Sequence, residues 1–217
     1  QLDMQVAAHS GWLLAVLHGG SWEDPRLAEQ IGDQRFFEDL RLDPYYGHVA
    51  RRFPELRGEL EELVEMARRP ISLVHGDMSP KNLLVDGNQL LLIDFEVGHF
   101  GDPAFDLGFF QTHLLLKTLH AGGQAAAYWE LLGRFQHSYQ QQLNVTRPGL
   151  PLDELWQRSL LHLGGCLLAR VDGKSPVDYL DAGLQESARR IGRDLLCRRI
   201  DSWDTVGQHV LSLAPGS

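Results

Sequence analysis

The stretch VHGDMSPKNLLVDGNQLLLIDFE, residues 74–96, decides the fold that we expect of this chain. Two short apolar runs within it, NLLV and QLLLI, are joined by Asp86-Gly87-Asn88, a turn sequence typical of a β-hairpin. Another β-rich run, ISLV, comes just before the polar segment that leads into the hairpin. Because a hairpin brings its two outer ends together, the polar residues that flank these runs should lie close to one another.

Asp77, Asn82 and Asp94 are the polar residues that this hairpin should bring together. Phosphoryl transfer from a nucleotide to an alcohol needs a base that orients the hydroxyl and oxygen ligands that hold Mg²⁺ between the phosphates. Two aspartates and an asparagine supply these groups. Each could instead have a local role, because aspartate and asparagine also cap turns and strand ends.

The rest of the chain is predicted to be mainly helical. We find no linker and no internal repeat, so we expect residues 1–217 to form a single α+β domain with a small hairpin in its middle. Helical spacing of apolar residues, bounded by Gly, Pro and Asp, predicts helices at 6–18 (stopped by Gly19-Gly20), 25–31, 34–40, 54–69, 103–119, 124–142, 153–171, 176–182, 184–200 and 204–213.

The composition limits the partners and the location. Twenty Lys and Arg against 29 Asp and Glu give a formal net charge of −9, which argues against nucleic acid or an anionic membrane surface as a partner and suits a cationic ligand weakly. Cys166 and Cys197 lie far apart and outside any metal-binding spacing, so neither a disulfide framework nor a zinc site is indicated. We find no secretory signal and no membrane-spanning run, and we expect a cytoplasmic protein.

The motif residues resemble those of a known family. HGDMSPKN followed by IDFE resembles the HGDxxxxN and IDxE signatures of the aminoglycoside phosphotransferase and choline kinase superfamily, which is related to the protein kinases. The resemblance implies ATP as co-substrate, Asp77 as catalytic base, and Asn82 and Asp94 as ligands of Mg²⁺. It also implies His75 as a brace of the catalytic loop and Asp106, in GDPAFDLG, as the residue that anchors this loop.

The resemblance covers only the C-terminal lobe of the kinase-like fold, and LLAVLHGG looks like the first helix of that lobe. We find no glycine-rich loop, no strand lysine and no paired helix glutamate, which in this family belong to the N-terminal, nucleotide-binding lobe. Gln1 is not an initiator methionine, so we expect the chain to be a piece of a longer protein. By itself, it should bind ATP weakly.

Four residues beside the motif have more than one interpretation. Glu96 could bind a second metal ion, orient a water molecule or face solvent. Lys81 and Ser79 could contact phosphate, although a lysine beside a proline is more often a solvated surface residue. His75 follows an apolar run, which favours a hydrogen-bonded structural histidine over an acid–base role.

We expect a kinase that moves the γ-phosphate of ATP to a hydroxyl of a small metabolite or an antibiotic such as an aminoglycoside. FEVGHFGDPAFDLGFF also resembles methylthioribose kinases, so methylthioribose, choline or another sugar or amino alcohol is an alternative acceptor. A cationic acceptor could contact acidic or aromatic residues of the later helices. These candidates are Asp153, Glu154, Trp156, Asp172, Asp178 and Asp181.

Two other classes of function stay open. One is a non-catalytic kinase-like module that binds a ligand or a partner. The other, less favoured, is a metal-dependent phosphohydrolase, which usually needs two metal ions and more ligands than this motif supplies.

Overall fold

The computed structural model describes residues 3–87 and 89–213 of the chain. Most of these residues are helical, which confirms the predicted mainly helical α+β class. The helices before the strands are α1 (Met4–Ser21), α2 (Pro25–Ile31), α3 (Arg35–Phe37), α4 (His48–Arg52) and α5 (Arg57–Ala67). The helices after the strands are α6 (Ala104–His120), α7 (Ala125–Thr146), α8 (Leu152–Asp172), α9 (Ala182–Leu196) and α10 (Trp203–Leu213). No helix in this described part of the chain is long and apolar enough to cross a membrane.

The strands form two small antiparallel pairs. Strands β2 (Leu83–Asp86) and β3 (Gln89–Leu92) make the predicted hairpin, although Asn88 of the predicted turn lies outside the described residues. Strand β1 (Ser72–Val74) pairs with β4 (His99–Gly101), a partner that the sequence analysis did not identify. Because β4 has only three residues and ends in glycine, it gives no periodic signal.

Helix α6 is the central element of the fold. It is buried on almost every side, as expected of a helix with apolar residues all round, and it packs against α7 and α8. Asp102 starts it by accepting a hydrogen bond from the Ala104 N–H at 2.9 Å. The same carboxylate pairs with Arg158 of α8 at 2.7 Å, which ties the start of α6 to its neighbour.

The helix predicted at 34–40 is longer than expected. After α3 the chain continues as a wide-turn π-helix, Glu38–Gly47, and then as α4. Pro44 lies inside this π-helix. A proline lacks the N–H and crowds the preceding turn, and a wider turn relieves that clash. Tyr46 is fully buried, and its hydroxyl lies 2.9 Å from Nδ1 of His162 in α8, which holds this segment on the core.

Three of the predicted helix ends are also wrong. Helix α7 continues to Thr146 rather than ending at 142. Helix α1 does not stop at Gly19-Gly20 but continues to Ser21. Gly19 lies against Thr146 of α7, where a Cβ would clash. Helix α9 ends at Leu196 rather than near 200, because Arg198 takes a left-handed φ of 53° that an α-helix cannot contain.

The helix predicted at 176–182 does not form. Residues 173–181 are irregular, with Val177 and Leu180 buried against the core. Asp181 accepts a hydrogen bond from the Leu184 N–H at 2.8 Å and so begins α9 at Ala182. The apolar spacing of this segment therefore reflects a packed loop and not a helix face.

Gly108 marks a close approach of α6 to α8, and we expect Gly108→Ala to destabilise the fold. A Cβ at this position would lie 2.6 Å from the Cβ of His162 and 2.8 Å from the carbonyl oxygen of Ser159. Because backbone of α8 has to move, the free energy of unfolding in urea should fall by about 1–3 kcal/mol.

The matched control is Gly133→Ala in α7, where a Cβ would meet nothing within 4 Å. This change should be neutral or stabilising by up to about 1 kcal/mol, because alanine is the better helix former. If both variants unfolded at the same urea concentration, the close packing of α6 on α8 would be contradicted.

Candidate active site

The buried carboxylate of Asp106 holds the loop that follows β1. Its Oδ2 accepts a hydrogen bond from the His75 N–H at 2.7 Å, and its Oδ1 accepts one from the Gly76 N–H at 2.8 Å. Nε2 of His18 in α1 lies 3.2 Å from Oδ2. Burial alone would raise the pKa of Asp106, but the hydrogen bonds that the carboxylate accepts, first from His18 and then from the His75 backbone, outweigh burial and lower this pKa. The group is therefore ionised at neutral pH.

His18 and Tyr139 extend this network, and the sequence analysis singled out neither. The Tyr139 hydroxyl lies 2.9 Å from Nδ1 of His18. Since Nε2 of His18 faces a carboxylate, which only accepts, Nδ1 accepts the hydrogen bond from the hydroxyl. Burial, and then the charge of Asp106, raises the pKa of Tyr139 well above its ordinary value, so the phenol keeps its proton. The sequence offered one signal for His18, which is a polar histidine inside the apolar run LLAVLH.

The side chain of His75 connects the loop to the hairpin. Its Nδ1 accepts a hydrogen bond from the Asp77 N–H at 3.1 Å, and its Nε2 lies 2.9 Å from the carbonyl oxygen of Ile93. The ring therefore carries its proton on Nε2. It is fully buried and packs against the Phe95 ring at 4.4 Å between centroids. Both nitrogens are occupied, which is the pattern of a brace and leaves neither free for proton transfer.

Asp77 is buried and surrounded by donors. Its Oδ2 lies 3.0 Å from Nδ2 of Asn82 and 3.0 Å from Nζ of Lys81. Its Oδ1 lies 2.9 Å from Nη2 of Arg41, whose Nε also donates to the Gly76 carbonyl oxygen at 3.1 Å. Arg41 thus fixes the carboxylate and the loop backbone together.

Arg41 is a site residue that the sequence analysis missed. It lies on the π-helix, far from the motif in sequence, in a segment broken by Pro44 and by glycines. No local pattern marks it, because its contact with Asp77 depends on how the π-helix packs. Its guanidinium lies 6.0 Å from the Phe109 ring of α6, so the arginine also covers part of the core.

Asn82 and Asp94 lie at the same end of the hairpin. The Asn82 carbonyl oxygen accepts a hydrogen bond from the Ile93 N–H at 3.0 Å, which places Asp94 one residue beyond this pairing. Asp94 has a left-handed φ of 70°, a conformation that costs energy for a residue other than glycine and is often found at functional sites. Its carboxylate is exposed, and no group in the described part of the chain pairs with it.

The available oxygens suit a cation that keeps water and phosphate ligands. The side-chain nitrogen of Asn82 is used by Asp77, which leaves its side-chain oxygen without a hydrogen bond from residues 3–87 and 89–213. Among the same residues no group of three His, Cys, Asp or Glu could hold a metal ion. Mg²⁺ commonly binds one or two protein oxygens and completes its shell with water and substrate phosphate.

The remaining candidates of the motif differ in their surroundings. Ser79 is buried, and its hydroxyl finds no hydrogen-bond partner among the residues that the structure describes. The Lys81 side chain is 67% exposed despite its contact with Asp77. Glu96 is exposed, and no hydrogen bond or ion pair of the described chain joins it to Asp77, Asn82 or Asp94.

A cavity of about 600 Å³ adjoins the loop at Ser79, Pro80 and Lys81. Its walls come from α1, α6, α7, β2, the end of α8 and the irregular segment that follows α8. Its volume is that of a small-molecule site. We call it the loop cavity.

None of the acidic or aromatic candidates for contact with a cationic acceptor lines the loop cavity. Asp172 is paired with Arg52 at 3.0 Å and with Arg189 at 2.7 Å. Asp153 and Glu154 line a different cavity, on the far part of α8. Of the rest, Trp156 packs against Tyr139, Asp181 caps α9 and Asp178 is exposed.

The hairpin presents an apolar surface beside Asp94. Leu84 and Leu91 face each other across β2 and β3 and are both about half exposed. Ile93 and Phe95, on either side of Asp94, are 39% and 43% exposed. Exposed apolar groups next to unengaged polar oxygens are typical of a surface that binds a ligand or another part of a protein.

Comparisons with known proteins place these elements in a family. The model of the phosphotransferase enzyme family matches residues 5–137. The methylthioribose kinase of Yersinia enterocolitica is 26% identical over 233 residues, which cover 85% of this chain and 57% of that enzyme. The methylthioribose kinase of Klebsiella pneumoniae is 28% identical over 232 residues, covering 84% of this chain and 57% of that enzyme. The chain thus spans about half the length of the curated relatives it matches.

A solved structure of an amicoumacin kinase in complex with AMP-PNP, Ca²⁺ and Ami aligns with 93% of this chain and 61% of that chain, at 16% identity and a TM-score of 0.49. The family match covers more than half of the chain and includes α1, the loop after β1, the hairpin and α6. These are the elements that carry His18, Asp77, Asp94 and Asp106. The chain belongs to the phosphotransferase enzyme family.

Proposed function

We propose that this chain is the catalytic-loop lobe of a small-molecule kinase, which transfers the γ-phosphate of ATP to a hydroxyl of a metabolite or an antibiotic. The observation that supports this most is the grouping of Asp77, Asn82 and Asp94, with the Asn82 amide 3.0 Å from Asp77 and Asp94 at the same end of the hairpin. Membership of the phosphotransferase family and the methylthioribose kinases among the relatives also support it.

In this proposal Asp77 is the catalytic base. The acceptor hydroxyl donates its hydrogen bond to Asp77, its oxygen attacks the γ-phosphorus, the proton passes to the carboxylate and ADP leaves. Arg41 and Asn82 hold the carboxylate in place. Lys81 is mostly exposed, so it can move away from Oδ2 and let the acceptor hydroxyl approach.

The oxygens of Asn82 and Asp94 would hold Mg²⁺, which neutralises charge on the phosphates when it is bound. Glu96 is a candidate for a second metal ion or for a water molecule. Ser79 and Lys81, on the loop next to Asp77, are candidates for phosphate contact. The open carboxylate of Asp94 and the uncommitted side-chain oxygen of Asn82 support the metal assignment.

The exposed apolar surface of the hairpin is the part of the site that the nucleotide base and a nucleotide-binding lobe would cover. A glycine-rich loop and a strand lysine would complete the phosphate contacts. The relatives are longer than this chain, which supports a two-lobed enzyme as the active form.

A sugar hydroxyl is the acceptor that the relatives favour, because they are named for methylthioribose. An aminoglycoside, choline or another amino alcohol is the alternative that the family resemblance allows. A simple sugar is neutral, whereas an aminoglycoside or an amino alcohol is positively charged. The charged residues that line the loop cavity can discriminate between these two classes of acceptor.

We expect Asp77→Asn and Asp94→Asn each to slow phosphate transfer strongly while the fold is kept. Loss of the base should lower kcat by about 10²–10⁴-fold. Transfer from Mg²⁺-ATP to a panel of hydroxyl compounds measures this, with the present chain and, if it is part of a longer protein, with that protein. The control is Asp86→Asn at the other end of the same hairpin, which should leave the rate unchanged.

Other results would support a different function. Cation binding without transfer to any hydroxyl compound would favour the non-catalytic module. Consumption of ATP at a rate independent of added alcohols, and lost in Asp94→Asn, would favour the phosphohydrolase. Full activity of Asp77→Asn would rule out Asp77 as the base.

We also expect Arg41→Gln to lower kcat by about 10–100-fold with little change in KM, because it positions Asp77 and does not itself bind substrate in this proposal. Arg41→Lys should recover part of the rate, since lysine restores the charge but not the two-point contact with Asp77 and Gly76. An unchanged kcat in Arg41→Gln would show that the contact with Asp77 does not position the base.

A further inference from the structure

We infer that the acceptor carries an acid group, a carboxylate or a phosphate, in addition to its hydroxyl, and that Lys117 and Arg170 bind this group in the loop cavity. The inference rests on the proposed function, because it assigns the loop cavity to the acceptor. It differs from the cationic acceptor that the net charge of the chain suggests.

The loop cavity is positively charged although the chain as a whole is not. Lys81, Lys117 and Arg170 line it, and Asp3 is the one acidic residue that the described chain places in its wall. Asp3 accepts hydrogen bonds from the backbone N–H groups of Gln5 and Val6 at 2.9 and 3.1 Å, so it serves as the cap of α1. A cationic wall in a chain of net charge −9 is a local feature that favours an anionic ligand.

Two of these cations have no acidic partner. Among the residues that the structure describes, no carboxylate forms an ion pair with Lys117 or with Arg170. Lys117 lies over the Tyr179 ring, with Nζ 3.9 Å from the centroid, and this contact holds the ammonium group at the cavity. The Nη1 of Arg170 donates to the Ser175 carbonyl oxygen at 2.7 Å, while its Nε is buried without a partner in the described chain.

Buried donors without a partner are costly, so a ligand that supplies acceptors here would be favoured. The hydroxyl of Ser79, also on the cavity wall, is another buried group without a partner in the part of the chain described. An acid group offers several acceptor lone pairs to such donors, whereas an ammonium group offers none.

Lys81 connects the loop cavity to Asp77, because it lines the cavity and its Nζ lies 3.0 Å from Oδ2 of Asp77. The Arg41 guanidinium pairs with Asp77 and lies 6.0 Å from the Phe109 ring, and the Phe109 ring lies 5.3 Å from that of His113 on the cavity wall. Burial, and then the charge of Arg170, lowers the pKa of His113 to about 4, so this histidine is neutral at pH 7. It adds no charge of its own and can donate or accept a hydrogen bond.

The rest of the wall is apolar and aromatic. Phe110, Leu114, Tyr128 and Leu131 line it, and its volume of about 600 Å³ exceeds what a bare phosphate ion fills. We therefore assign the loop cavity to a small hydroxy acid or phosphorylated alcohol, with the acid group at Lys117 and Arg170 and the hydroxyl towards Asp77.

The test compares matched ligands on the full chain by calorimetry. One set is glucuronate, glucose and glucosamine, and the other is glycerol 3-phosphate, glycerol and serinol. In at least one set the acid should bind at least about 10-fold more tightly than its neutral partner, and the amine most weakly. The acid that binds shows whether the cavity takes a carboxylate or a phosphate.

Lys117→Gln should weaken binding of the acid about 10-fold and leave binding of the neutral partner unchanged, whereas Lys117→Arg should retain most of the affinity. Lys117 is exposed, so this change spares the fold. Arg170→Gln should have a similar effect but also removes the bond to Ser175, and Lys117→Gln is therefore the deciding variant. The matched control is Arg134→Gln on α7, whose side chain is 57% exposed and does not line the cavity.

Four results would overturn the inference. The first is that the acids bind no better than the neutral compounds or the amines, and the second is that neither set binds. The third is that inorganic phosphate binds as tightly as the hydroxy acids. The fourth is that Lys117→Gln and Arg134→Gln have equal effects on binding. Phosphate transfer is measured separately with the same ligands. Acid-selective binding without transfer to any acceptor would support the acid site and contradict the proposed kinase function. Transfer without a preference for acids would support the kinase function and contradict the acid site.

Discussion

The buried carboxylate of Asp106 is the interaction on which the rest of the site depends. It accepts the backbone N–H groups of His75 and Gly76 and contacts Nε2 of His18, so it joins α6, α1 and the loop after β1 at one point. Hydrogen bonds to a charged group contribute about 1.5–3 kcal/mol each, and leaving these amides buried without an acceptor would cost a similar amount. The loop conformation that follows is therefore strongly determined.

The loop conformation that Asp106 holds requires glycine at position 76. Gly76 has a left-handed φ of 77°, and a Cβ there would lie 2.8 Å from the carbonyl oxygen of Val97. From this residue the chain passes directly to Asp77, whose N–H binds His75 and whose carboxylate meets Arg41 and Asn82. The position of Asp77, the proposed base, thus depends on Asp106 through a short segment in which the N–H groups of His75, Gly76 and Asp77 are all hydrogen-bonded.

Helix α6 links the proposed base to the loop cavity. Asp106 lies in its first turn, and Phe110, His113 and Lys117 follow at helical spacing along the face that lines the cavity. One rigid helix therefore sets both the place of Asp77 and the place of the group that would bind the acceptor. In the proposed kinase, most of the rate would come from such positioning, which a buried central helix can provide.

The parts of this arrangement that are local in sequence could be predicted, and the parts that depend on packing could not. The hairpin follows from its turn residues and its two short apolar runs, and helix Pro25–Ile31 follows from Asp24 and Pro25 at its start. Arg41 gave no signal, because its contact with Asp77 arises from a π-helix around Pro44. The segment 176–182 has helical spacing, but its buried residues pack as a loop. The charge of the cavity wall comes from α6, α8 and the catalytic loop together, and the net charge of the chain concealed it.

Amide hydrogen exchange at His75 and Gly76 tests the central role of Asp106 most directly. In the native protein both amides should exchange far more slowly than the amide of Gly87 at the exposed hairpin turn, because they are buried and bound to a carboxylate. In Asp106→Asn, which keeps one acceptor oxygen, at least one of the two amides should exchange faster while α9 keeps its protection. If His75 and Gly76 exchange as fast as Gly87 in the native protein, Asp106 does not hold the loop and the account is wrong.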